Sequence, residues 1–65
     1  MNTKELIDYT LTNLFSVDEP TLRSAYLALS EIIYSGKPNP GYSSAELQLY
    51  MCRVLEEAKK RKIVL

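Results

Sequence analysis

A segment rich in glycine and proline divides this 65-residue chain into two strongly amphipathic parts. It covers residues 35–44 and reads SGKPNPGYSS. Pro38 and Pro40 favour extended backbone at their own positions and at the residues before them, so a helix cannot continue through the segment. The segment therefore predicts a helical hairpin, in which one helix ends before it and another begins after it.

Three stretches carry apolar residues at helical intervals, and capping residues precede them. Asn2 and Glu5 have the spacing of a capping box. Ser43 and Glu46 have the same spacing ahead of the third stretch. Gly36 can adopt the left-handed conformation that ends many helices. We therefore predict an all-α three-helix bundle, a single domain over residues 1–65, with helices at about 3–15, 19–35 and 43–61.

The apolar periodicity also predicts which face of each helix turns inward. The predicted inner residues are Ile7, Leu11, Leu14 and Phe15 in the first helix, Leu22, Ala25, Tyr26, Leu29, Ile32 and Ile33 in the second, and Leu47, Met51, Val54, Leu55 and Ala58 in the third. A domain of about 60 residues buries only about 60% of its unfolded surface, so we expect marginal stability.

Composition argues against most catalytic chemistry. The chain has no histidine, which removes the usual near-neutral base and the commonest metal ligand, and we predict no enzyme activity, metal or cofactor. Cys52 is the only cysteine, so no intrachain disulfide can form, and a reducing cytoplasm fits best. No apolar stretch approaches the roughly 20 residues of a membrane span, so we expect a soluble protein.

Two of the predicted helices carry apolar residues away from their inner faces. These residues are Leu27 and Tyr34 in the second helix and Leu49 and Cys52 in the third. Single exposed apolar side chains are ordinary on protein surfaces, and that interpretation remains open. Because two neighbouring helices carry them in so small a chain, we predict a partner interface, most simply that of a homodimer.

The distribution of basic residues suggests an alternative function. The formal net charge is zero, yet four cations stand together as Lys59, Lys60, Arg61 and Lys62. They could contact phosphates, which would make the chain a small nucleic-acid-associated transcriptional regulator. They could equally compensate the negative end of the third helix dipole.

Tyrosines flank the glycine and proline segment at Tyr34 and Tyr42. A tyrosine buries a large ring while its hydroxyl stays wet, which suits a contact surface. Packing over the Pro38 and Pro40 loop as a lid is an equally good interpretation of both residues.

Spaced leucines surround a Ser-Gly turn between Glu19 and Glu57. The residues that form this pattern are Leu22, Ala25, Leu29, Ser35-Gly36-Lys37, Leu47, Leu49 and Leu55-Glu56. This pattern resembles the two-helix core of the small enterobacterial biofilm and acid-resistance regulators of the AriR type. The resemblance implies a dimeric helical connector that acts on signalling or transcription proteins. Together with the surplus apolar surface, it leads us to predict a non-enzymatic helical regulator or adaptor that acts through protein–protein interaction.

Overall fold

A computed structural model describes residues 2–65 and contains three α-helices packed as a bundle. Helix α1 spans Thr3–Thr12, α2 spans Glu19–Tyr34 and α3 spans Ser44–Lys60, with no strand in the described range. Helix α2 packs against both α1 and α3, and each of these two contacts is more extensive than the contact between α1 and α3. The prediction of an all-α three-helix bundle is confirmed. No helix within residues 2–65 combines the length and the apolar character needed to cross a bilayer.

Side-chain caps fix where each helix begins. The Asn2 side chain accepts a hydrogen bond from the Glu5 backbone N–H, as its spacing predicts. Asp18 caps α2 in the same way by accepting from the Thr21 N–H. Before α3 the capping box is complete, because Ser43 accepts from the Glu46 N–H and the Glu46 carboxylate accepts from the Ser43 N–H.

Helix α1 ends earlier than the sequence pattern indicates. Asn13 is its C-cap, and both the backbone N–H and the side-chain amide of Asn13 donate to the Tyr9 carbonyl at 3.0 Å. The N–H groups of Ser16 and Val17 then bond to the Asn13 carbonyl and turn the chain towards α2. This turn points Phe15 outward, where it is 74% exposed, so its predicted inner position is wrong. Asparagine competes with helical backbone bonding, which is the physical reason.

One apolar core fills the space between the helices. Its buried apolar residues are Ile7, Leu14, Val17, Leu22, Ala25, Leu29, Ile32, Leu47, Met51, Val54 and Ala58. Leu55 is not among them, since it is 43% exposed, and its predicted inner position is a second error. It follows the fully buried Val54 and is therefore rotated by about 100° around the helix, to the edge of the buried face.

The chain folds back on the bundle after α3. The Ile63 N–H bonds to the Ala58 carbonyl at 2.8 Å and the Lys62 N–H bonds to the Lys59 carbonyl, a pairing typical of a Schellman C-cap. Lys62 occupies the left-handed position of this motif, with φ of 58°. The turn brings Ile63 and Leu65 against the core, and Arg23 donates to the Val64 carbonyl.

Candidate interaction surface

The four apolar residues that the sequence assigns to an interface are all exposed. Leu27 is 56% and Tyr34 is 79% exposed on α2, and Leu49 is 55% exposed on α3 beside the exposed Cys52. Leu27 and Tyr34 are seven residues apart and so share one side of α2, away from the buried Leu29. The bundle therefore leaves large apolar side chains in water on two adjacent helices.

The exposed side of α3 carries one apolar residue more than predicted. Leu55 stands three residues after Cys52, as Leu49 stands three residues before it, so the three occupy neighbouring positions on the outer surface. We name the exposed residues of this side the outer α3 stripe. Its members are Ala45, Gln48, Leu49, Cys52, Leu55, Glu56 and Lys59. Sequence periodicity missed Leu55 because it adjoins the inner face.

An open groove lies where the start of α1, the outer side of α2 and the loop between α2 and α3 meet. Its volume is about 730 Å³, and its apolar lining is formed by Leu27, Ala28, Ile32, Pro38 and Pro40. Lys37 and Glu31 stand on its edge as an ion pair at 3.8 Å. Of the four predicted interface residues, Leu27 alone lines the groove.

The four residues of the basic cluster at positions 59–62 lie in two different environments. The Arg61 guanidinium is largely covered and donates to the Glu57 carboxylate at 2.7 Å and to the carbonyls of Val17 at 2.6 Å and Leu14 at 3.0 Å. Arg61 thus joins the end of α3 to the turn between α1 and α2, and each of its three guanidinium nitrogens already donates one hydrogen bond. Lys59, Lys60 and Lys62 remain exposed, although the Lys60 ammonium lies 5.2 Å from the centre of the Phe15 ring.

Tyr42 ties the loop before α3 to the side of α1. Its hydroxyl donates to the Asp8 carboxylate, and the Lys4 ammonium lies 5.3 Å from the centre of its ring. The ring also meets Tyr50 edge to face, with 5.4 Å between ring centres. The Asn39 side chain stabilises the loop, because it accepts a hydrogen bond from the Tyr42 N–H and donates one to the Tyr42 carbonyl. These contacts join the loop to α1 and α3, so Tyr42 has a structural role here that differs from a lid over Pro38 and Pro40.

The contact between Tyr42 and Asp8 changes the pKa of both groups. Partial burial, and then the hydrogen bond to Asp8, raise the pKa of the Tyr42 hydroxyl. The bond from Tyr42, and then the one from Lys4, lower the pKa of the Asp8 carboxyl below its usual 3.8. Tyr34 differs, because within residues 2–65 no hydrogen bond to its hydroxyl is present and its ring lies in water.

We predict that Tyr42→Phe lowers the free energy of unfolding by about 1 kcal/mol near neutral pH, since one hydrogen bond is lost. The difference from wild type should shrink as the pH falls below about 4, because the unfolded state then protonates Asp8 before the folded state does. Urea unfolding of both proteins across acidic pH tests this. Tyr34→Phe is the matched control and should change nothing; equal losses in both variants would contradict the assignment.

Within the described part of the chain, no three His, Cys, Asp or Glu side chains are grouped closely enough to hold a metal ion. Comparison of the chain with protein-family models, with curated proteins and with solved structures finds no match. The exposed apolar residues of α2 and α3 are the main candidate sites of interaction.

Proposed function

We propose that this protein is a small non-enzymatic helical regulator or adaptor that acts through protein–protein contact, with a second copy of itself as its first partner. One observation carries the proposal. Leu27, Tyr34 and Leu49 are each more than half exposed, in a domain whose described core contains only eleven buried apolar residues. An interface across the outer faces of α2 and α3 would remove these side chains from water.

Energetics favour such an interface. Complete burial of a leucine-sized side chain contributes about 1.5–3 kcal/mol, whereas domains of this size have only a few kcal/mol of net stability. Two or three such residues per copy would therefore add an amount comparable with the stability of the isolated bundle. A second copy supplies a surface of the same composition, which is why an isologous two-fold contact is the simplest arrangement.

The nucleic-acid alternative has less support from the side chains concerned. Arg61 is occupied by Glu57 and two backbone carbonyls, so at most three of the four cations could reach phosphates. The formal net charge of zero supplies no general attraction to DNA. Duplex DNA binding that weakens steeply with added salt would favour the alternative over the adaptor function.

A role in signalling or transcription follows only from the resemblance to AriR-type regulators. We propose it as the process in which the dimer takes part. The partner would be a signalling or transcription protein that contacts the surface left free by the dimer.

The dependence of unfolding on protein concentration tests the dimer. Mass action stabilises a dimer as concentration rises, so the midpoint of thermal unfolding should increase by roughly 5 °C or more across a hundredfold range. Circular dichroism in cells of different path length measures the midpoint. A midpoint that stays constant across this range would contradict the proposal.

A further inference from the structure

The outer α3 stripe is arranged symmetrically about the middle of its helix. Helix α3 spans Ser44–Lys60, and Cys52 is its central residue. Leu49 and Leu55 lie three residues on either side of Cys52. Gln48 and Glu56 lie four residues away, and Ala45 and Lys59 lie seven residues away. In a copy of this face that runs in the opposite direction past Cys52, Leu49 lies level with Leu55, Gln48 with Glu56 and Ala45 with Lys59.

We propose that two copies meet through α3 in antiparallel orientation, with the two-fold axis passing beside Cys52. This inference rests on the proposed function, because it specifies the geometry of the same dimer. Each Leu49 would pack against Leu55 of the partner subunit, which buries four leucines around the axis.

The polar residues of the stripe also match in this orientation. The Gln48 amide can donate to the carboxylate of the partner's Glu56, and the small Ala45 leaves room for the stem of the partner's Lys59. A parallel pairing would instead bring each residue opposite its own copy. Glu56 would then face Glu56 of the partner subunit, and Lys59 would face the partner's Lys59, which are repulsive contacts.

Charge at the two ends of the bundle favours the same orientation. The end formed by the start of α1, the end of α2 and the start of α3 has two lysines and four carboxylates, a net charge of −2. The opposite end has six cations and four carboxylates, a net charge of +2. An antiparallel pair places each negative end beside a positive end, so added salt should weaken the dimer.

Cys52 provides a direct test of the axis. Packed helix axes lie about 8–10 Å apart and each Cα lies about 2.3 Å from its axis, so two facing Cα atoms approach to roughly 3.4–5.4 Å, a range that overlaps the spacing of disulfides. Disulfides need Cα atoms about 4.4–6.8 Å apart. Oxidation with diamide, which takes two protons and two electrons from two thiols, should therefore join wild-type chains through Cys52 into a covalent dimer.

Matched single-cysteine proteins separate the possible orientations. In Ala45→Cys with Cys52→Ser, an antiparallel pair holds the two thiols about 21 Å apart, since they are offset by 14 residues at about 1.5 Å each. We expect this protein to cross-link at least about tenfold more slowly than wild type. Mixing it with Lys59→Cys in the same Cys52→Ser background should restore rapid cross-linking between the two variants.

The outcomes distinguish the two proposals. Rapid cross-linking through Cys52, slow cross-linking of the Ala45→Cys protein alone and rapid cross-linking of the mixture support the antiparallel α3 contact. A concentration-dependent dimer that links slowly through Cys52, or that links rapidly through Ala45→Cys alone, overturns this geometry and leaves the proposed function standing. A chain with no concentration dependence overturns both.

Discussion

Replacing Arg61 with alanine is expected to lower the free energy of unfolding by about 3 kcal/mol, which would remove most of the net stability of a domain of this size. The Glu57 side chain is almost fully buried, and Arg61 is its ion-pair partner at 2.7 Å. Removing the guanidinium leaves this carboxylate in the interior without a countercharge. The carbonyls of Leu14 and Val17 lose their side-chain donor at the same time.

Three further variants identify why Arg61→Ala loses stability. The free energy of unfolding of each is measured with urea. Arg61→Lys retains one charge without the planar fork, so it should cost less than the alanine variant but more than nothing. Removing both charges with Glu57→Gln and Arg61→Met should cost less than Arg61→Ala, because no buried charge is left alone. Lys62→Ala, next to Arg61 but exposed, should change stability by less than about 0.5 kcal/mol. Equal effects of Arg61→Ala and Lys62→Ala would contradict the structural role of Arg61.

Leu49→Lys is expected to weaken the dimer at least about a hundredfold while leaving the fold intact. A leucine that becomes buried on association contributes about 1.5–3 kcal/mol, and a two-fold dimer loses two of them. Each new ammonium would also have to leave water to enter the contact. A loss of roughly 3 kcal/mol corresponds to more than a hundredfold change in the dissociation constant. Sedimentation equilibrium of the variant and the wild type measures the change.

The matched control is Tyr9→Lys, because Tyr9 on α1 is 43% exposed, as Leu55 is on α3. We expect this control to associate as wild type does, whereas Leu55→Lys should dissociate like Leu49→Lys. Because all three side chains are substantially exposed in the monomer, none of the three substitutions should change the unfolding of the diluted protein by more than about 0.5 kcal/mol. Equal weakening by Tyr9→Lys would mean that general charge, and not the α3 face, controls association.

Much of the fold is local in origin, and the sequence predicts that part well. The caps at Asn2 and Ser43 depend on residues three positions apart, so their spacing alone identifies the starts of α1 and α3. The ends of α2 and α3, at Tyr34 and Lys60, lie within one residue of the predicted ends. The end of α1 was harder to predict, because Asn13 stops the helix while the apolar periodicity continues to Phe15.

The parts that the sequence did not reveal depend on contacts between distant residues. In the sequence Arg61 is one of four consecutive basic residues, and only the folded bundle brings it to the carbonyls of Leu14 and Val17, more than forty positions earlier. Tyr42 likewise meets Asp8 only after α1 has packed beside the loop. The exposure of Leu27 and Leu49 was predictable, because helical periodicity alone places them opposite the inner faces.

Sedimentation equilibrium of the wild-type protein, from micromolar to millimolar concentration, tests the central claim most directly. The claim is that a second copy covers the apolar faces of α2 and α3. We predict that the apparent mass rises from that of one 7.4 kDa chain towards twice that value, and that it stops there because a two-fold contact is closed. A mass that remains at 7.4 kDa throughout this range would contradict the claim.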